Sequence, residues 1–315
     1  MEAMNEPIHH HYVSVFYLSR WEGSDGRICR FSRPYGDTVK AGRVAPKGTA
    51  FEPRLYETKG LPPEHAQIME TDFMAKIDND AANTLTLLEK GLSVIGLSDE
   101  ARNSWSRFLV AQMLRTPRDI SQLKSSVEQV WNRVSQPLRE TYAAKRSPKE
   151  PATLEELWAQ LNPAYADELA LSVARTLMLH EGICGLLNKM HWCVLDVPGG
   201  CDSLLTSDNP VWMTAKLVGA DDFLLVAIGP RRLFVAAVEP DTLCRIQAQR
   251  RCELVKIINK ITVQHADRFV YGETEDALPF VQEHMSTRRH DTWLERHARM
   301  RDLEIVASDN PPNEI

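Results

Sequence analysis

The sequence lacks the short motifs that mark the common nucleotide-binding and hydrolytic folds. It has no glycine-rich phosphate loop and no Gly-x-Ser-x-Gly elbow for a nucleophilic serine. No apolar run reaches the roughly 20 residues of a membrane span, and the N-terminus lacks the charged and apolar regions of a signal peptide. These absences predict a cytoplasmic protein without a membrane partner, and nothing signals a nucleotide or haem cofactor.

Cysteine is sparse and shows no metal-binding pattern. None of the six cysteines forms a Cys-x-x-Cys pair, and no Cys/His spacing fits a structural zinc site. Six thiols in 315 residues are too few for a disulfide scaffold, so we expect reduced, buried cysteines. The cysteines are Cys29, Cys184, Cys193, Cys201, Cys244 and Cys252.

The charge balance gives no general affinity for polyanions. The formal net charge is −6, so any contact with nucleic acid needs a local basic patch. Hydrophobic residues make up 43% and charged residues 25%, which is close to the average of soluble globular proteins. A chain of this size can bury a substantial core.

The hydrophobic period changes along the chain from strand-like to helical and back again. We therefore predict a helix-rich α+β fold in one continuous domain over residues 1–272. Its parts, in order, are a short β-rich region (1–62), a central helical layer (63–190) and a mixed or antiparallel sheet (191–272). A peripheral helical segment (273–305) and a disordered tail (306–315) are expected to follow.

Local signals place the ends of several helices. Ser98 precedes two acidic residues and predicts a helix N-cap, and Pro117 predicts a helix end or kink. Residues 163–190 predict one long apolar helix, weakened by two glycines. On the helix after Ser98, five residues share one face: Trp105, Phe108, Leu109, Gln112 and Met113.

The tetrapeptide Ser-Asp-Asn-Pro occurs twice, at 207–210 and 308–311. The second copy lies in a polar tail, and we expect it to be inert. The first copy lies between apolar stretches, at the end of a predicted strand, where Asp208 and Asn209 can face a ligand. A plain turn explains the first copy equally well, because Asx residues before proline bond the local backbone.

Several stretches, taken in this order, resemble a known family: HHYVSVFYLSRW, DGRICRF, FLVAQMLRTPRD, LLTSDNPVW and VKIINKITVQHADRFVYG. They resemble the bacterial domain-of-unknown-function family 4238 over roughly residues 9–272. The sequence departs from the family pattern at Ser14, where proline is usual. The resemblance implies no activity, but it implies that certain polar residues belong together: His11, Glu70, Arg115, Asp208, Asn209 and, as a further candidate, Asn259.

One imidazole and two carboxylates make a suitable set of ligands for Mg²⁺ or Mn²⁺, and we expect His11, Glu70 and Asp208 to hold such a metal. Arg115 would bind a phosphate group, since its planar guanidinium matches phosphate oxygens. Asn209 would orient a water or ligand. These roles predict a metal-dependent hydrolase of phosphodiesters, with nucleases among the candidates, and a nucleic-acid or nucleotide substrate.

Two alternatives stay open. The same residues, joined by Asp78 two helical turns after Glu70, would form a buried polar network in a non-catalytic structural or protein-binding module. A closed network favours that module, and an open cleft favours the enzyme. Separately, the spacing of Arg175 and His180 resembles a motif of metal-independent ribonucleases, which predicts both side chains on one groove. The oligomeric state is not indicated.

Overall fold

A computed structural model of the chain shows three small sheets surrounded by helices. It describes residues 8–58, 61–90, 96–134, 136–161, 165–214, 217–288, 291–292 and 294–295. Every strand pair in these ranges is antiparallel. The predicted helix-rich α+β class is therefore confirmed.

The N-terminal region folds into short strands and one helical turn. Its elements are β1 (His9–His11), α1 (Val15–Leu18), β2 (Ile28–Tyr35), β3 (Thr38–Val44) and β4 (Phe51–Pro53). β1 pairs with β4, and β2 forms a hairpin with β3. The pairing of β1 with β4 brings the segment after His11 against the loop before Phe51, where the N–H of Tyr12 donates to the carbonyl of Ala50 at 2.9 Å.

The central region is helical, as expected. It contains α2 (Pro63–Ala66), a π-helical turn (Met69–Met74), α3 (Ala75–Glu89), α4 (Asp99–Leu114), α5 (Pro117–Val134), α6 (Gln136–Lys145), α7 (Leu154–Leu161), α8 (Tyr165–Met178) and α9 (Glu181–Lys189). α4 packs against α3, α8 and α9, and α5 packs against α8.

The helix ends follow the local signals in part. The hydroxyl of Ser98 accepts the N–H of Ala101 at 3.2 Å, which confirms the predicted cap, and α5 begins at Pro117. The single helix expected over 163–190 is wrong, because α8 and α9 are separate. His180 leaves the helical conformation (φ −62°, ψ 115°), and its Nδ1 accepts the N–H of Gly182 at 3.2 Å.

One stretch among the described residues, Asp167–Lys189, is long and apolar enough to cross a membrane by length and composition alone. This finding differs from the expectation drawn from the sequence, although core helices of soluble proteins pass the same test. The break at His180 falls inside this stretch. The absence of a membrane partner stays a prediction.

The C-terminal region returns to strands and ends in helices. It contains β5 (His191–Asp196), β6 (Thr206–Ser207), β7 (Trp212–Met213), β8 (Phe223–Gly229), β9 (Arg232–Ala237), α10 (Pro240–Gln247), α11 (Arg251–Gln264), β10 (Val270–Gly272) and α12 (Leu278–His284). One sheet has the order β5-β9-β8-β7, and the other has the order β3-β2-β10-β6. The second sheet therefore joins the N-terminal hairpin to the C-terminal region.

Aromatic packing connects the helical layer to the first of these sheets. Trp105 on α4 stacks on Phe108 with ring centroids 5.0 Å apart and meets Phe234 of β9 edge-on at 5.6 Å. Trp192 of β5 reaches the same Phe234 at 5.2 Å. The buried hydroxyl of Tyr17 donates to the carbonyl of Ala227 at 2.7 Å. One hydrophobic core thus spans the three regions, while the expected domain boundaries stay predictions.

A disulfide links Cys201 to Cys252, with Cα atoms 4.9 Å apart and a sequence separation of 51. The expectation of reduced thiols is therefore wrong for these two positions. The pairing could not be predicted from the sequence, because it is the fold that brings the loop after β5 to the start of α11. Cys29 and Cys184 are buried free thiols, and Cys244 is exposed. The cytoplasmic location stays a prediction.

Candidate functional site

Arg115 follows the last residue of α4 and is fully buried. Its Nη1 donates to Asp78 Oδ1 at 3.0 Å, and its Nη2 donates to Gln112 Oε1 at 2.5 Å and to the hydroxyl of Ser14. An arginine enclosed in this way does not contact an external phosphate. The geometry favours a positioning role, and phosphate binding by Arg115 stays a prediction that this geometry does not support.

The partners of Arg115 clamp the N-terminal segment to α3 and α4. The hydroxyl of Ser14 donates to Asp78 Oδ1 at 2.9 Å, and Gln112 Nε2 donates to the carbonyl of Tyr12 at 2.7 Å. The hydroxyl of Tyr56 donates to the carbonyl of Arg115 at 2.7 Å. This network fixes the backbone on both sides of Val13 and, through it, the position of the preceding strand β1.

Glu70 lies next to this network on the π-helical turn Met69–Met74. Such wide turns recur at functional sites, because they displace side chains from the regular helical positions. The carboxylate accepts the backbone N–H of His11, and the buried Oε2 has no hydrogen-bond partner among the described residues. Burial raises the pKa of Glu70 to about 7, although the nearby Arg115 opposes the rise.

The half-buried ring of His11 lies at the end of β1, close to the same groups. Burial lowers its pKa, the carbonyl of Lys47 opposes this shift, and the charge of Arg115 adds to it. Its Nε2 is 3.2 Å from the carbonyl of Lys47. A carbonyl only accepts, so Nε2 carries the proton in the neutral ring and Nδ1 is the basic nitrogen.

Asp208 lies elsewhere, directly after β6. Its Oδ1 accepts the N–H of Asp267 at 2.9 Å, and its Oδ2 accepts the N–H groups of Arg268 at 2.6 Å and Phe269 at 3.0 Å. Burial, with a smaller contribution from Asp267, raises its pKa to about 7. Three backbone donors therefore engage this carboxylate, and it holds the turn before β10. It borders a cavity of about 300 Å³, lined also by Tyr12, Thr116, Pro117, Arg118, Asp267 and Arg268.

The two asparagines expected near the site have local contacts of their own. The N–H of Asn209 donates to the hydroxyl of Ser207 at 3.1 Å, as in a Ser turn. Asn259 on α11 accepts the N–H of Leu205 and donates to the carbonyl of Ser203, each at 2.9 Å. The first Ser-Asp-Asn-Pro copy is thus a tightly bonded turn, and the second lies outside the described residues.

The expected metal ligands do not form one group. Within the described residues, no cluster of three His, Cys, Asp or Glu side chains could hold a metal ion. His11 and Glu70 are neighbours, but Asp208 is turned toward the backbone of residues 267–269. The residues present therefore do not fit a site made of His11, Glu70 and Asp208.

Arg175 and His180 do not share a hydrogen bond or a groove. Arg175 on α8 lines a cavity of about 600 Å³ together with His65 and Glu168. His180 is exposed and caps α9. It is not among the residues that line this cavity. The arrangement expected for a metal-independent ribonuclease of this type is not seen among the described residues.

Ser14, Gln112 and Tyr56 complete the cluster and were not expected from the sequence. Gln112 did leave a signal, since it is a polar residue on an otherwise apolar helix face. Buried amides need partners, so such a position predicts a contact with another segment. For Ser14 the indication in the sequence is weaker: the family pattern usually has proline at this position.

Most of the chain is similar to one known protein family. No curated protein and no solved structure matches the chain. One family model matches residues 9–276, a span that includes His11, Glu70, Asp78 and Arg115. The chain belongs to this family, which is described as a protein of unknown function (DUF4238).

Proposed function

We propose that the protein hydrolyses a phosphodiester, with Glu70 as the general acid and His11 as the general base. The observation that carries the proposal is the pair of opposite pKa shifts in adjacent groups. The pKa of Glu70 is raised to about 7, and the pKa of His11 is lowered from its ordinary value. Environments that shift two neighbouring groups in this way are typical of acid–base pairs.

Each group carries the protonation state that its role requires. Near pH 7 about half of the Glu70 carboxyl groups are protonated, so a proton is available for a leaving oxygen. His11 is neutral, and its Nδ1 can take a proton from an attacking water. As the water oxygen bonds to phosphorus, the ester P–O bond breaks and the leaving oxygen receives the proton of Glu70. Proton exchange with solvent then restores both groups.

Asp78 and Arg115 act through position and charge. The guanidinium lies near Glu70 and His11 and is fully buried, while the side chain of Asp78 is 25% exposed. Their ion pair holds the segment that follows His11 and keeps a cation near Glu70. That cation prevents burial from raising the pKa of Glu70 further.

The experiment compares two phosphodiesters with different leaving groups: bis(p-nitrophenyl) phosphate and a short single-stranded RNA. Glu70→Gln should reduce RNA cleavage by about 10²-fold or more, since the ribose oxygen needs a proton to leave. Cleavage of bis(p-nitrophenyl) phosphate should decrease less, because nitrophenolate leaves without being protonated. Glu275→Gln, an exposed control on a separate turn, should keep full activity.

Each assay is run with EDTA, with Mg²⁺ and with Mn²⁺, because metal dependence is a prediction from the sequence and no step above requires it. Absence of cleavage in all three conditions would contradict the proposal. Equal losses on both substrates in Glu70→Gln would contradict the role of Glu70 as the acid.

A second candidate is a non-catalytic module, and the closure of the network around Arg115 favours it. Its guanidinium is bonded by Ser14, Asp78 and Gln112 within the chain. In that case Glu70→Gln would change the stability of the fold and no activity would be found. Affinity capture with Glu70→Gln and wild-type protein side by side would then show whether a protein partner depends on this surface.

A further inference from the structure

A second cavity, of about 640 Å³, lies between the loop 201–205, helix α11 and the segment 273–280. Its lining shares no residue with the cluster around Glu70 and Arg115. Sites for small molecules commonly have volumes of about 300–1,000 Å³. The cavity is therefore large enough to hold a small metabolite.

Charges of both signs line this cavity and do not neutralise each other. Lys256 and Lys260 project from one face of α11, because they are four residues apart. Glu273 and Asp276 belong to the segment after β10. Among the described residues, no ion pair joins these lysines to these carboxylates.

The lysine ammonium groups are available to a ligand. Lys260 is exposed and has no hydrogen bond or ion pair within the described part of the chain. Lys256 contacts only Glu253, at 3.3 Å on the surface of the same helix. Exposed pairs of this kind are weak and exchange easily with another partner.

The carboxylates are held in place without being neutralised. Glu273 Oε2 accepts the hydroxyl of Ser203 at 3.1 Å, and Asp276 Oδ2 accepts the hydroxyl of Thr274 at 2.7 Å. Each carboxylate retains further acceptor positions. The lysines of α11 and the carboxylates of the segment after β10 thus line the cavity from different elements, while Asp202 and Arg231 add one charge of each sign. Leu205, Ala277 and Phe280 add apolar surface.

Covalent and polar links fix the walls of the cavity relative to each other. The Cys201–Cys252 disulfide ties the loop to the start of α11. Asn259 bonds the loop to the same helix at Leu205 and Ser203. A site with walls fixed in advance loses less entropy when a ligand binds.

We propose that this cavity binds a small zwitterion with an apolar side chain, the chemical class of the free apolar α-amino acids. The lysines would receive the carboxylate, Glu273 and Asp276 the ammonium group, and Phe280 the side chain. Polyphosphates do not fit, since the two carboxylates would repel them.

Calorimetric titration of the full chain with four probes tests this proposal: L-leucine, L-valine, L-methionine and L-phenylalanine. At least one should bind. For the probe that binds, the matched carboxylic acid without the amine and the matched amine without the carboxylate should each bind about tenfold more weakly or worse. For L-leucine, these analogues are 4-methylpentanoate and 3-methylbutylamine.

Lys260→Ala and Glu273→Gln should each weaken binding by about tenfold or more, whereas Lys145→Ala, an exposed lysine at the end of α6, should leave it unchanged. Absence of binding by all four amino acids would overturn the proposal. Equal binding of either single-charge analogue, or full binding by both cavity variants, would overturn it as well. Circular dichroism of each variant confirms that the fold is retained.

Discussion

The guanidinium of Arg115 donates to the carboxylate of Asp78 at 3.0 Å, and the two residues come from different helical segments 37 residues apart. The arginine side chain is fully buried, whereas the aspartate is 25% exposed. The pair therefore connects the interior of the protein to the half-buried side chains of Glu70 and His11. Because desolvation offsets much of the attraction in such a pair, its contribution shows mainly when one partner is removed.

Replacement of Arg115 by methionine should lower the free energy of unfolding by about 3–5 kcal/mol, since it leaves Asp78 without its buried cation. Urea denaturation measures the change. Arg245→Met is the matched control, because this arginine pairs with Asp221 where both side chains are mostly exposed. The control should change stability by no more than about 0.5 kcal/mol. Similar losses in the two variants would show that the buried network is not what holds this region.

Ser14 allows a second test of the network. Ser14→Ala should cost about 1–3 kcal/mol, because it removes a buried hydroxyl that bonds both Asp78 and Arg115. Ser14→Pro should cost less, since the φ of −62° at this position already suits proline and the unfolded chain loses freedom. Urea unfolding of both variants gives the order. A larger loss for proline than for alanine would mean that the ring does not fit this backbone.

The structural features that could be predicted from the sequence are those determined by residues close together in the chain. The cap at Ser98 and the interruption of the helical run before Pro117 each depend on a few adjacent positions. The break at His180 is equally local. The apolar periodicity over 163–190 predicts a continuous helix. It does not show that a ring nitrogen of His180 caps the next helix, which separates the two helices.

Only part of the candidate site could be predicted from the sequence, because its residues come from distant segments of the chain. His11 and Glu70 do meet, and Arg115 and Asp78 lie beside them. Asp208 is elsewhere, because the pairing of β6 with β10 places its carboxylate against the backbone of residues 267–269. Resemblance to a family shows which residues recur together, whereas strand pairing between distant segments decides which of them touch.

Stability should depend on pH through Glu70. Its pKa rises from 4.5 to about 7 on folding, so the folded state holds its proton more tightly than the unfolded state. Stability from this group is therefore full below about pH 4.5 and is lost as the pH rises toward 7. Glu70→Gln stays neutral, so its stability relative to the wild type should increase over this window by on the order of 1–3 kcal/mol.

Urea denaturation of both proteins at pH 5 and pH 8 gives this difference. Asp208 and Asp119 also have raised pKa values, about 7 and about 6, and they contribute in the same direction. They are present in both proteins, so the comparison cancels them. A constant difference between Glu70→Gln and wild type at the two pH values would show that Glu70 titrates normally.

The disulfide between Cys201 and Cys252 should contribute about 2–4 kcal/mol to stability. It joins positions with a sequence separation of 51, and a crosslink across a loop of this length restricts the unfolded chain substantially. Reduction with dithiothreitol, or the Cys252→Ser substitution, should therefore lower the urea midpoint. Cys244→Ser is the control, because that thiol is exposed and free.

If dithiothreitol or Cys252→Ser does not change stability, counting the free thiols under denaturing conditions shows whether the bond is absent or adds no stability. Oxidised protein should show four free thiols, since six cysteines include one bonded pair. Six free thiols, with no effect of dithiothreitol on unfolding, would show that the bond does not form in solution. Four free thiols without a change in stability would instead mean that the noncovalent contacts of Asn259 with Leu205 and Ser203 already hold α11 against the loop.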